Sequence, residues 1–310
     1  MTDHVLSVIH CSKTYTSGLH AVKDVTFTIK PGQFTVLLGL NGAGKSSLIS
    51  MITGLSHITH GQILIQGFDV EKQAFDAKKH FGICPQEVNF NHFHSIEQEL
   101  IIAAGLQGMT RQQAIRTAKP LLEKARLWQK RHDIIRNLSG GMKRILMVIR
   151  ALLHQPALLI LDEPTAGLDI EIRDFIWDLL KNTHAQNTAV LLTTHNMAEA
   201  QHLCQNVLLL EKGKLLLDQP IRTALSSLSL KIYHLHLEKP LTDQQRQQLT
   251  DAHIQYQRTH VEHEILLETR QESPLEHALQ ALIQLNVRIT HIAPAKNELE
   301  QLLQETSHRD

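Results

Sequence analysis

The sequence predicts an α/β fold with a central, mostly parallel sheet, an antiparallel β subdomain and a helical insertion, followed by a small C-terminal α+β domain. Three observations carry this. Continuous apolar runs at Phe34 to Leu38, Ala157 to Leu161 and Ala189 to Thr194 have the length and composition of strands buried on both faces. Val5 to His10 and Val25 to Ile29 alternate apolar and polar residues instead, as half-buried strands do. From about residue 228 the pattern changes to strands and helices in the order βαββαβ.

The first buried run leads into Gly39-Leu40-Asn41-Gly42-Ala43-Gly44-Lys45-Ser46, and Ser47 to Ile52 continues with helical spacing. This is the phosphate-loop pattern G-x-x-x-x-G-K-[ST] in the strand-to-helix setting it requires, so the α/β fold is of the P-loop NTPase type. Its glycines let backbone N–H groups crowd round a triphosphate at the positive end of a helix. Lys45 is then expected to reach the β and γ phosphates, and the Ser46 hydroxyl to hold Mg²⁺.

Composition bounds the remaining possibilities. At 310 residues the chain has room for about two domains. Lysine plus arginine balance aspartate plus glutamate at 31 each, so no nucleic-acid partner is expected. The longest apolar runs are far short of the roughly 20 residues that span a membrane. The N-terminus shows no basic stretch followed by an apolar one, so a cytoplasmic location is expected. Cys11, Cys84 and Cys204 are isolated and read as reduced, structural thiols.

Along the chain, Tyr15 lies in the first strand connection, where an aromatic ring can stack on a purine or simply pack. Phe81 to Gln86 is a strand running into a loop. Gln86 offers a neutral amide to a metal-bound water, although on spacing alone a solvated loop glutamine fits better. Ser95 to Trp128 turns helical, within an insertion spanning about 87–150. Leu138-Ser139-Gly140-Gly141-Met142 opens an amphipathic helix. Ser139 can cap it, while Gly140 and Gly141 cost helix propensity and suggest a close approach. The run Ala157 to Leu161 ends in Asp162 and Glu163, beyond the carboxyl end of a strand, where α/β sheets bind ligands. Asp162 is placed to help hold Mg²⁺, and Glu163 to orient or deprotonate a water. Ala166-Gly167-Leu168-Asp169 is a turn, and the last buried strand ends at His195.

The order and spacing of these motifs resemble those of the ATP-binding subunit of ATP-binding-cassette (ABC) transporters over about residues 5–225. The resemblance implies an ABC ATPase that binds ATP with Mg²⁺. It assigns Tyr15 to adenine stacking, Gln86 to the metal and His195 to the γ-phosphate. The loop residues Gly39, Asn41, Gly42, Ala43, Gly44, Lys45, Ser46 and Ser47, the signature residues Leu138, Ser139, Gly140 and Gly141, and Asp169 are assigned to the nucleotide. Met142 stands where the signature more often has glutamine, and Leu40 where the loop often has proline. Neither position supplies a phosphate-binding group. The resemblance further implies a head-to-tail homodimer in which the signature of one subunit closes over ATP held by the other. Gly141-Met142-Lys143-Arg144 and the C-terminal appendage look most like the bacterial ABC-2 type exporter branch. A separate integral membrane permease would then receive the motion, with the chain peripheral on the inner face of the cell membrane. Asn89-Phe90-Asn91 and Phe93 are the expected contact, unless the two phenylalanines belong to the core of the insertion. A soluble ABC ATPase of the translation or DNA-repair type is the alternative; such chains usually carry two cassettes, a long coiled coil or zinc modules, and none is visible.

The expected domains are thus residues 1–225, binding nucleotide, and 226–310, an α+β accessory domain of ferredoxin-like order that is regulatory or stabilises a dimer. A last helix is expected from about Lys296 to Gln304. His234 and His236 share one face of a strand, but the sequence shows no third metal ligand at suitable spacing.

Overall fold

Strand β3 (Phe34–Leu38) is buried along its whole length and is the axis of the N-terminal unit. In the computed structural model, which describes residues 4–184, 187–226, 230–252, 254–270 and 275–294, the chain forms two units, Met1–Ile221 and Arg222–Asp310. The division falls four residues before the boundary expected from sequence.

In the first unit, β1 (Leu6–Thr14) pairs antiparallel with β2 (His20–Ile29) and with β4 (His60–Ile65), and β5 (Phe68–Asp69) completes a four-stranded antiparallel sheet. Between β3 and β4 runs helix α1 (Lys45–Ile52). The short α2 (Ala74–Lys78) precedes β6 (Phe81–Cys84). The insertion follows as α3 (Ile96–Leu106) and α4 (Arg111–Lys124), each opened by a capping box, at Ser95 with Gln98 and at Thr110 with Gln113. Helix α5 (Gly140–Leu152) leads to β7 (Leu158–Asp162), α6 (Ile170–His184), β8 (Ala189–Thr193), α7 (Met197–Leu203) and the hairpin β9 (Asn206–Glu211) and β10 (Lys214–Pro220).

These strands form a six-stranded sheet in the order β10-β9-β3-β8-β7-β6, parallel throughout except for the edge strand β10. One apolar cluster joins the two sheets through α1. Leu48, Met51 and Ile52 sit among Val8, Phe27 and Ile63 of the antiparallel sheet and Leu37, Ile160 and Leu208 of the parallel one. Cutting a leucine this enclosed to alanine costs about 2–5 kcal/mol, so the phosphate-loop helix is held by the core of both sheets.

After α8 (Ile221–Ser226) the second unit runs β11 (Leu230–Leu237), α9 (Asp243–Asp251), β12 (Gln255–Arg258), β13 (Glu264–Arg270), α10 (Leu275–Gln284) and β14 (Ile289–Pro294). Its sheet is wholly antiparallel in the order β12-β13-β11-β14, which is the ferredoxin-like arrangement expected from the sequence. Leu235, Leu237, Ile265 and Leu267 pack with Leu249, Ala278 and Leu282 to make its core. The helix expected over Lys296 to Gln304 lies outside the described residues.

Two expectations change. Phe90 is only 8% exposed and lies under the Arg150 guanidinium, 4.7 Å from its ring centre, whereas Phe93 is 79% exposed. The two phenylalanines therefore do not form one contact surface; Phe90 is core because α5 covers it. A Cβ on Gly141 would stand 2.1 Å from Ile172 Cδ1 of α6, the end of a side chain that can turn aside, so Gly141 packs closely within the chain, whereas Gly140 faces open space. All three thiols are buried and free, and burial pushes them up, Cys84 to about 11. They are inert structural groups, as expected.

Candidate nucleotide site

The carboxyl ends of β3, β7 and β8 converge because the strands run parallel and in register, with Asp162 opposite Thr193. The turns leaving these ends line a cleft of about 650 Å³. It brings together Asn41, Gly42, Ala43, Gly44, Lys45, Ser46, Ser47, Gln86, Asp162, Glu163 and His195. Segments separated by more than 150 residues in sequence thus meet at one face, as the sequence reading required.

The loop is fixed by backbone hydrogen bonds. Gly213 N–H donates to Ala43 O at 3.0 Å, and Lys23 N–H donates to Gly213 O at 2.7 Å, which ties the loop to β2 and to the β9–β10 turn. Gly44 has φ 104°, and a Cβ there would lie 2.2 Å from Ala21 O, so no other residue fits. Lys45 Nζ donates to Gly39 O at 2.7 Å and to Leu40 O at 3.2 Å. Burial lowers its proton affinity, and the Glu163 and Asp162 carboxylates oppose that shift.

On the opposite wall, Glu163 sits in the left-handed region at φ 49°, anchored by its N–H to Thr193 O at 3.0 Å. A non-glycine residue there costs on the order of 1–3 kcal/mol, which the strand pairing sustains. The side chain thereby lies 2.7 Å from His195 Nε2 through Oε1, with Glu163 largely buried and His195 half exposed. Asp162 Oδ1 accepts the Thr193 hydroxyl, which fixes the carboxylate rotamer. The carbonyls of Pro85 and Gln86 accept from the Arg144 guanidinium, at 2.8 and 2.6 Å.

Other predicted residues stand apart from the cleft. Tyr15 is at its edge, its hydroxyl 3.1 Å from Ser47 Oγ and Lys13 Nζ 5.0 Å from its ring centre. Leu138 is buried. Ser139 and Gly140 are exposed at the N-terminus of α5, where Ser139 Oγ accepts the Met142 N–H at 3.2 Å. Asp169 is exposed at the start of α6. None of these last four lines the cleft of its own chain.

Sequence reasoning missed His20, Lys23 and Lys212 on the cleft wall, Thr193 behind Asp162, and Arg144 behind Gln86. The three cationic or ionisable wall residues come from β2 and a hairpin turn, and no motif marks them. The threonine preceding Thr194-His195 at a strand end was a readable signal, since a hydroxyl there faces the neighbouring strand end.

A phosphate cradle, a lysine within it, a paired aspartate and glutamate at a strand end and a histidine on that glutamate make up the residue set of a P-loop nucleotide site. The sequence pattern of the ABC transporter family matches residues 22–166, and that of an AAA domain matches residues 134–200. The chain is 39% identical over 193 residues to the Nod factor export ATP-binding protein I of Burkholderia lata, covering 62% of this chain. It is 36% identical over 206 residues to the Burkholderia thailandensis protein of that name, covering 66% of this chain and 68% of that one. The first of these matches spans 64% of the relative, somewhat under two-thirds of its length. A solved structure described as the ATP-binding subunit of an ABC transporter superposes with a TM-score of 0.67 at 30% identity, covering 71% of this chain and 91% of that one. The chain belongs to the ABC transporter family of ATP-binding subunits, a family of ATPases.

Proposed function

We propose that this chain hydrolyses ATP as a homodimer and thereby powers export through a separate ABC-2 type membrane permease, on the inner face of the cell membrane. The observation that carries this reading is the Glu163–His195 pair across the cleft from Lys45. The names of the curated relatives support export and ATP binding. Among the described residues no helix is long and apolar enough to cross a membrane, so the reading gives the membrane path to another chain.

The oxygen donors of the cleft fit Mg²⁺, a hard cation: the exposed Ser46 hydroxyl, the half-buried Asp162 carboxylate and the Gln86 amide. These residues would hold the ion, which when bound neutralises phosphate charge. Backbone N–H groups of Gly42, Gly44, Lys45 and Ser46 and the Lys45 ammonium bind the triphosphate, and Lys23 and Lys212 add positive potential on the wall. Glu163 orients the attacking water and takes its proton as the water oxygen bonds the γ-phosphorus and the bond to the β–γ bridging oxygen breaks. His195 holds Glu163 in place and faces the γ-phosphate.

The exposed Ser139–Gly140 terminus supports a second copy as the missing half of the site. First-turn N–H groups lack acceptors within a helix, and an uncrowded Gly140 lets a neighbour's phosphate approach. Tyr15 at the cleft edge serves the adenine.

The test is Glu163→Gln. The variant is expected to bind ATP as tightly as the parent, to lose turnover by about a hundredfold or more, and to run as a dimer in light scattering when ATP is present. Adding Ser139→Arg should return that dimer to monomer with ATP still bound. ATP hydrolysis by Glu163→Gln at the parental rate would remove the role given to this carboxylate.

A further inference from the structure

Strand β11 carries His234 and His236 two residues apart, so both rings leave one face of its sheet, while Leu235 and Leu237 turn into the core. In the antiparallel register Glu264 of β13 stands directly opposite His236, which sets directly opposed Cβ atoms about 5 Å apart. The geometry follows from that placement. Glu264 Oε2 is 3.0 Å from His234 Nε2, and Oε1 is 3.0 Å from His236 Nδ1. The two rings lie 4.7 Å apart at a tilt of 32°. One donor atom from each of the three residues falls within 4.8 Å of the others, and all three side chains are half buried. Among the described residues no other group of three histidine, cysteine or acidic side chains is so arranged.

We propose that His234, His236 and Glu264 bind a divalent transition-metal ion, zinc being the ion of choice. Ligand bonds of about 2.0–2.2 Å to a tetrahedral centre place neighbouring donors roughly 3.3 Å apart; each histidine nitrogen already lies 3.0 Å from an oxygen of Glu264, and the three donors, within 4.8 Å of one another, need only close in on the ion. Two imidazoles and one carboxylate are a zinc donor set, whereas calcium and magnesium require oxygens. Binding exchanges the two hydrogen bonds to Glu264 for coordination: each ring nitrogen now facing the carboxylate gives up its proton, to the ring's other nitrogen by way of solvent or to bulk water, and offers its lone pair to the ion, with no change of oxidation state. A fourth position stays open to water beside His291 of β14, which stands opposite His236 on its other side with its ring 5.6 Å away. The ion would cross-link β11 to β13. The sequence showed the two histidines; only strand pairing supplies the carboxylate.

The site is tested with untagged, full-length protein stripped by chelation, nucleotide-free and in excess Mg²⁺, titrated with Zn²⁺ by calorimetry and with Co²⁺ by visible absorption. One equivalent is expected to bind, with the strong visible bands of low-coordinate Co²⁺. Glu264→Gln, which preserves shape, and His236→Ala should each weaken binding by about tenfold or more, and His277→Ala on α10 should leave it unchanged. Zn²⁺ should also raise the unfolding temperature of the parent and not that of Glu264→Gln. No stoichiometric binding by the parent, or binding that survives His234→Ala, His236→Ala and Glu264→Gln alike, would show a hydrogen-bonded cluster and no metal site.

Discussion

Lys45 is held by two loop carbonyls in a setting that lowers its proton affinity through burial, with Glu163 and Asp162 acting in the opposite direction. Between the lowered folded value and the ordinary lysine value, the unfolded chain binds more protons than the folded one, so stability rises with pH across that alkaline window. Lys45→Met has no such group. Its stability, measured by urea denaturation at a series of pH values, should lack the alkaline rise that the parent shows, and the variant should no longer bind ATP. An equal rise in both proteins would assign it to other groups. Residues of this kind were legible because their chemistry is written in contiguous motifs: Gly39 to Ser46, Asp162 with Glu163, His195 at a strand end. Lys23, Lys212 and Thr193 were not, since each enters the site from a strand or turn that only tertiary pairing brings near.

At the scale of elements, α5 joins the exposed Ser139 terminus to the Gln86 loop through one buried side chain. Arg144 lies one turn into the helix and donates to the carbonyls of both Pro85 and Gln86, while Arg150, further along, grips Asn89 and Glu99. A planar guanidinium reaches two acceptors at once, and an ammonium does so poorly. Arg144→Lys is therefore expected to lower kcat by about ten- to a hundredfold with ATP affinity near the parental value, because the loop around Lys45 is untouched. Arg144→Ala should do the same and also lower the unfolding temperature, since a buried side chain and its two hydrogen bonds to the Pro85 and Gln86 carbonyls are lost together. A fall in unfolding temperature with kcat unchanged would reduce Arg144 to packing. The elements themselves were legible wherever one period dominated: the buried strands, the insertion helices and the whole βαββαβ order appear where apolar spacing placed them. The buried Arg144 was not, because a cation on an amphipathic helix reads as solvated until the loop it holds is seen to cover it.

At the scale of the molecule, the chain divides between Ile221 and Arg222, close to where chemistry-bearing motifs stop, whereas the contact expected at Phe90 and Phe93 is not one surface. Phe90 is taken up by the core, and one group of apolar residues lines a cleft elsewhere in the first unit. Leu55 after α1, Ile102 and Leu106 of α3, and Phe81 and Ile83 of β6 line an open cleft of about 360 Å³. Leu55 is 78% and Leu106 79% exposed, and large apolar side chains grouped in one surface cleft have the character of a docking surface. In the proposed reading the occupant is a cytoplasmic helix of the permease, seated between the insertion and the phosphate-loop domain so that closure over ATP moves it. A single charge in the cleft should uncouple the two, because it would be buried without a partner in the complex while remaining solvated in the free chain. Leu106→Glu is therefore expected to keep the ATPase rate of the purified chain within about twofold, to shift the chain from the membrane to the soluble fraction of its own cells, and to abolish cross-linking to a polytopic membrane protein. Ile170→Glu, at a 67% exposed apolar position outside the cleft, should leave membrane retention intact; release by both variants alike, or by neither, would place the docking surface elsewhere.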